Sequence, residues 1–302
     1  MKSRIHRRNF LKTTGVLGAG IGLAALGGSD LLAAALANGA PNAEKLGWHL
    51  GCQTWTFREF SLFEAIDMTA ALGLHYVETG AGMKSLSKEQ PQVKFTEDSP
   101  VSVRSAVKKK LADTGVTLKS YGVTPLSKDI GQCRKMFDFA KDMGLETIVS
   151  EPTEDAFDTI EKLCEQYGLN LAIHNHPNPS RYWNPDTVLK VCKGRSKRIG
   201  ACADTGHWMR SGLNPIECLK KLEGRIINFH FKDLNKTVGE ARDVPWGTGV
   251  SDVKGMLAEV RRQGLKAVFL IEYEYLSPTL LQEVAECVTY FDKVAAELTA
   301  KA

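Results

Sequence analysis

The stretch LAIHNHP (171–177) places two histidines two residues apart at the end of an apolar run. In an extended strand alternate side chains share a face, so His174 and His176 point the same way. Imidazoles so placed serve as metal ligands, as acid–base groups near neutral pH, or as polar residues tolerated at a strand end. Other ionisable groups end other apolar runs: Glu151 in TIVSEP, Asp204 and His207 in CADTGHW, His230 and Asp233 in NFHFKDL, and Glu272 and Glu274 in FLIEYE. Carboxylates carried into an interior cost several kcal/mol unless paired or bound to a cation. One divalent ion held by Glu, Asp and His would satisfy them together.

The elements that must position these groups follow one rhythm from residue 48 to 275: a short apolar run, a polar loop, then a segment of helical period. The runs that read as strands are 49–56, 76–80, 118–123, 147–152, 171–176, 199–207, 226–234 and 267–274. Between them lie amphipathic stretches at 62–73, 102–115, 132–144, 155–168, 185–194, 215–224 and 252–264, many ending in Gly, and a final helix spans about 278–299. Eight alternating units in one domain predict an α/β fold, a single (β/α)8 TIM barrel, with catalytic groups at the strand ends. A doubly wound sheet would need a Gly-rich turn after its first strand, whereas GAGIGLAALGG lies near the N-terminus and follows no strand.

The N-terminus carries Arg7-Arg8 before NFLK, then a Gly/Ala/Leu stretch and the small triplet Ala35-Leu36-Ala37. This predicts a twin-arginine signal peptide over 1–37, with the barrel on 38–302. Ser29-Asp30 interrupts the apolar stretch, which makes a poor spanning helix, so no stable membrane insertion is expected after cleavage. The chain as a whole is +4. Lys2, Arg4, Arg7, Arg8 and Lys12 against Asp30 alone account for that surplus, and the remainder is formally neutral. A nucleic-acid partner is therefore disfavoured. All seven cysteines lie beyond the signal, with no CxxC, and are expected to be buried thiols.

Taken together, CADTGHW, NFHFKDL, FLIEYE and LAIHNHP resemble the xylose isomerase-like TIM-barrel superfamily, the sugar phosphate isomerase/epimerase group, over about 48–290. In its ketose epimerases one divalent ion, often manganese, is held by Glu, Asp, His and Glu from successive strands. The resemblance maps Asp204, His230 and Glu272 onto three of these. At the first Glu position a typical member reads ENHP and this chain reads HNHP, so His174 stands where a metal-binding carboxylate is expected. Glu151, at the neighbouring strand end, would restore the ligand. The expected metal set is Glu151, Asp204, His230 and Glu272, with His174 competing for the fourth place, and Mn²⁺ is expected ahead of Zn²⁺, Co²⁺ or Mg²⁺. His174, His176, Glu272 and Glu151 are the candidate catalytic groups, and His207, Lys232, Trp55, Trp183 and Trp246 the candidate substrate contacts.

Such a site abstracts a proton next to a carbonyl and holds the resulting enediolate. Returning the proton elsewhere gives an isomerase or epimerase, the first expectation. Expelling a β-oxygen gives a lyase or dehydratase of a keto-sugar, 3-keto-glycoside or inosose, which the His-rich fifth strand suits, as in members resembling inosose dehydratases and 3-keto-glycoside lyases. An exported carbohydrate-binding protein with a degenerate site is the second alternative. A repair endonuclease of this fold would need more ligands and a basic face. Export to the periplasm implies an unphosphorylated carbohydrate substrate, and homo-oligomer formation is compatible with the sequence.

Overall fold

The computed structural model describes residues 38–83 and 85–300; the segment read as a signal peptide lies outside these. Eight parallel strands close in sequence order: β1 His49–Gln53, β2 Tyr76–Thr79, β3 Thr117–Tyr121, β4 Thr147–Ser150, β5 Asn170–His174, β6 Ile199–Asp204, β7 Ile226–Phe231 and β8 Val268–Ile271. β8 returns to β1 with Cys52 opposite Ile271, so the barrel is closed. All eight expected strands form, and each begins within a residue of its expected start.

The helices, in chain order, are α1 Pro41–Lys45, α2 Leu62–Ala71, α3 Val101–Thr114, α4 Ile130–Met143, α5 Phe157–Tyr167, α6 Pro185–Cys192, α7 Thr205–Arg210, α8 Pro215–Lys221, α9 Val253–Arg262 and α10 Leu280–Thr299. α3, α4 and α5 stop at Gly115, Gly144 and Gly168, each left-handed, which only glycine adopts without a steric cost. The start of the described chain is fastened: Asp292 on α10 accepts hydrogen bonds from the backbone of Asn42 and Ala43 at the head of α1. No helix among the described residues is long and apolar enough to cross a membrane.

Every strand ends before its apolar run does, and at β1, β6 and β7 the residues at the end of the run leave the sheet for other structure. Thr54–Phe57 turns into a 3-10 helix capped by the Gln53 side chain, which accepts from Trp55 N. Asp204 closes β6 and caps α7, accepting from His207 N at 2.7 Å. β7 ends before Lys232. Register slips between Val77 and Glu78 and between Ala201 and Cys202 locally re-aim side chains near the C-terminal rim.

Candidate active site

Five strands bring their terminal ionisable groups to one end of the barrel, where side chains from separate loops converge. Among the described residues, His174, Asp204, His230 and Glu272 form one fully buried group with ligand atoms all within 4.8 Å of one another. Glu151, His174 and His176 form a second, shared through His174.

Each histidine of the first group is held from behind by a carboxylate. His230 Nε2 donates to Glu78 Oε1 at 2.7 Å, which turns Nδ1 toward Glu272 Oε2, 3.2 Å away. His174 Nδ1 lies 3.1 Å from Glu151 Oε1, and its Nε2 faces Asp204 Oδ2 at 3.5 Å. Both His174 Nε2 and His230 Nδ1 are buried with no hydrogen-bond partner among the described residues. An orphan nitrogen of this kind costs about 1–3 kcal/mol in an interior. Two of them aimed at carboxylate oxygens are the arrangement of metal-binding imidazoles oriented by outer carboxylates.

Charge supports the same reading. Glu78, Asp204 and Glu272 are buried with Lys232, whose ammonium contacts both Asp204 Oδ2 and Glu272 Oε2. With both imidazoles neutral, the set would lack two positive charges, which one divalent cation, or a proton on each imidazole, supplies. Burial pushes the His174 imidazole toward its neutral form, but Asp204 and Glu151 outweigh it and raise its pKa. The field that holds a proton there would equally hold a metal. Burial opposes ionisation of Glu272, and Lys232 and His230 overcome it, keeping the group ionised.

The structure distributes the expected site residues unevenly. His174 rather than Glu151 stands in the four-residue group. Glu151 Oε1 takes contacts from His174 Nδ1, from His176 Nδ1 at 2.5 Å and from His176 N at 3.1 Å, so this oxygen is spent on positioning. Burial raises the Glu151 carboxyl, and the two imidazole hydrogen bonds bring it down to about 2. His176 stays exposed at the cleft. Lys232 lies between the Asp204 and Glu272 carboxylates, not against Asp233, which instead accepts from Gly247 N, Gly249 N and Ser251 N. That folding of the β7 loop lays Trp246 against Phe231 and Phe291, where it is buried in the helix layer and does not line the cleft. Trp183 is half-buried and also absent from the cleft wall. Trp55 and His207 do line it.

Three positioning residues were not anticipated. Glu78 is fixed by Gln53 Nε2 at 3.2 Å and Ser120 Oγ at 2.5 Å as well as by His230. The acidic residue inside the apolar YVETG was the available signal. Asn175 clasps the Asp204 backbone, donating to its carbonyl at 3.0 Å and accepting from its N–H at 2.9 Å. Arg210 Nη1 donates to His207 Nδ1 at 3.1 Å, leaving the proton of a neutral ring on Nε2. Burial, reinforced by Lys232 and His174 against Asp204, lowers the His207 pKa well below its usual value, so the ring is neutral. Within DTGH only glycine fits at 206: a Cβ there would come 2.6 Å from Lys232 Cδ.

Above the buried group opens a cleft of about 310 Å³, with His174, His176, His207, Glu272 and Glu274 along one side. Imidazoles and carboxylates converging on a cation-seeking centre can take a proton from carbon and give one to oxygen.

Residues 66–291 match the family described as xylose isomerase-like TIM barrel, and residues 4–24 match the twin-arginine translocation pathway signal sequence. The signal supports export by that pathway. An inosose dehydratase of Mesomycoplasma hyopneumoniae (strain 7448) is 22% identical over 169 residues, covering 47% of this chain and 56% of that protein. The chain thus spans about half the length of this curated relative. Among solved structures, an uncharacterized protein from Parabacteroides distasonis ATCC 8503 superposes with TM-score 0.66 at 32% identity, covering 82% of this chain and 99% of that one. A xylose isomerase-like TIM barrel protein from Mycobacterium smegmatis, solved in complex with magnesium, gives TM-score 0.65 at 14% identity, covering 83% and 97%, a likeness of fold alone.

Proposed function

The chain belongs to the xylose isomerase-like TIM barrel family, and on that footing we propose that it is a divalent-cation-dependent carbon–oxygen lyase. Its substrate is an unphosphorylated keto-sugar, keto-glycoside or keto-cyclitol. The observation that carries this reading is the pair of partnerless buried nitrogens, His174 Nε2 and His230 Nδ1, converging with Asp204 and Glu272 beneath an imidazole-lined cleft.

His174, Asp204, His230 and Glu272 hold the cation, and two imidazoles with two carboxylates suit Mn²⁺ or Zn²⁺ better than Mg²⁺. When bound, it polarises the substrate carbonyl and stabilises the negative charge that develops on its oxygen. Glu151 holds His176 by Nδ1, so Nε2 is the atom offered to the cleft for proton transfer. His207, neutral and carrying its proton on Nε2, donates a hydrogen bond to a substrate oxygen. The proton α to the carbonyl leaves, its electron pair becomes the C=C bond, the β C–O bond breaks, and the departing oxygen takes a proton from an imidazole. Elimination is placed ahead of isomerisation because His176, an imidazole outside the cation-binding set and held at Nδ1 by Glu151, reaches the cleft where it can pass a proton to a leaving oxygen. The inosose dehydratase among the relatives supports the same choice. The isomerase or epimerase reading rests on Glu272, a carboxylate on the cleft wall able to return a proton to carbon. The export signal favours the periplasm and an unphosphorylated substrate.

The test is elemental analysis of the purified protein, followed by turnover of a keto-inositol and a 3-keto-glucoside in D₂O. About one equivalent of metal is expected, lost in His174→Ala and Asp204→Ala, with a dehydrated or cleaved product. Deuterium incorporation with a product of unchanged composition would establish the isomerase instead. A protein that takes up neither Mn²⁺ nor Zn²⁺ would be a carbohydrate-binding protein, and the lyase reading would fall.

A further inference from the structure

The two sides of the cleft differ in kind. The side formed by the ends of β5, β6 and β8 carries five ionisable side chains. Among the described residues, the side formed after β1, β2 and β3 carries none: its apolar side chains are Trp55, Ala81, Met83 and Val123, set among Gly80, Gly82 and Gly122. The two polar side chains here are already committed. Gln53 donates to Glu78 and to Gly122 O while accepting from Trp55 N, and Thr54 Oγ1 donates to Thr79. A hydroxyl-rich group laid on this wall would leave polar atoms short of side-chain partners, which is costly in a closed site.

The wall is also closely packed. A Cβ on Gly80 would meet Gly122 O at 2.4 Å, and one on Gly82 would meet the Trp55 ring at 3.1 Å, so backbone and indole lie close together. Trp55 is 39% exposed and Val123 39% exposed, two large apolar side chains presented at the mouth of a polar cleft. The indole is held there by Arg58, whose guanidinium stacks 5.3 Å from the ring centroid while donating to Trp55 O and Glu274 O. At about 310 Å³ the cleft exceeds the volume of one pyranose ring.

We infer that this wall is the subsite for an apolar, aromatic aglycone, so that the substrate is an aryl keto-glycoside and not a free sugar, cyclitol or disaccharide. The inference rests on the lyase reading and names its leaving group. With the ketone at C3 of the sugar, the C2 proton is taken by the base. The C2–H electron pair forms the C1=C2 bond, the C1–O bond breaks, and the aryl oxygen leaves with a proton from an imidazole. The products are an unsaturated keto-sugar and a phenol, and the ketone is already present in the substrate, supplied by a prior oxidation of the C3 hydroxyl. An aryl oxide is a better leaving group than an alkoxide, and stacking on Trp55 would hold it while the bond breaks.

The test compares phenyl, methyl and glucosyl 3-keto-β-glucosides on the metal-loaded protein, wild type beside Trp55→Ala. The phenyl compound is expected to be turned over with kcat/KM at least tenfold above the other two, and Trp55→Ala to shrink that ratio to threefold or less. Equal turnover of phenyl and methyl compounds in the wild type, a preference for the glucosyl compound, or an equal loss for all three in Trp55→Ala would overturn the subsite and leave the lyase standing. Binding of unoxidised phenyl and methyl β-glucosides, followed by calorimetry, gives a readout independent of turnover. Tighter phenyl binding that depends on Trp55 would uphold the subsite even if no compound reacts, and equal binding would overturn it.

Discussion

Glu78 shows what a single side chain does for this centre without touching the cleft. It takes contacts from Gln53, Ser120 and His230, and it fixes which imidazole nitrogen faces Asp204 and Glu272. Outer carboxylates of this type are worth 10–100-fold in metal affinity. Glu78→Ala is therefore expected to weaken Mn²⁺ or Zn²⁺ binding by about 10–100-fold, read by competition with a chromophoric chelator. An unchanged affinity in a folded variant would remove Glu78 from the site. The ionisable residues were legible in the sequence because each ends an apolar run; their partners were not. Glu151 and His174 are neighbours at the rim, and nothing in SEP or HNHP says that the carboxylate turns back onto the two imidazoles. Lys232 and Asp233 are adjacent in sequence but serve different structures, one the carboxylates and the other the backbone of the loop after β7.

At the scale of elements, strand positions were legible from apolar runs and helix ends from glycine. Strand ends were not, because capping by Gln53 and Asp204 side chains is a tertiary choice. The β7 loop makes the point energetically. Its Asp243 is buried, has one oxygen without a partner, and meets Arg210 Nη2 at 3.2 Å. Burial pushes its carboxyl up to about 7, against the pull of Lys232 and Arg210. The folded state therefore holds this proton more tightly than the unfolded chain, and stability drains away as pH rises from about 4 to about 7. Asp243→Asn removes that titration. Between pH 4 and 8 the wild type should lose on the order of 3 kcal/mol relative to the variant, measured by urea unfolding across the range. A difference independent of pH would mean that Asp243 is ionised throughout, held by Arg210.

For the whole molecule, the closed barrel and its core decide how the seven cysteines behave toward an oxidant. Cys52, Cys133, Cys164, Cys192, Cys202, Cys218 and Cys287 are all free and buried. Burial pushes the thiols of Cys52, Cys164 and Cys218 up to about 12, so little reactive thiolate forms at neutral pH. A barrel that reaches the far side of the membrane already folded, as the twin-arginine signal supports, carries these thiols inside its core before it meets an oxidant. Disulfides are then unnecessary, because a chain of this size can bury enough apolar surface to hold itself together. The native protein is expected to leave a colourless disulfide reagent unreacted and to release seven equivalents on unfolding in guanidinium. Dithiothreitol should move Tm by less than about 2 °C, since losing a structural disulfide costs about 2–5 kcal/mol and, in a domain this large, at least several degrees. A thiol that reacts within seconds in the native state, or a Tm that falls by about 5 °C on reduction, would mean that the barrel opens or is cross-linked after export.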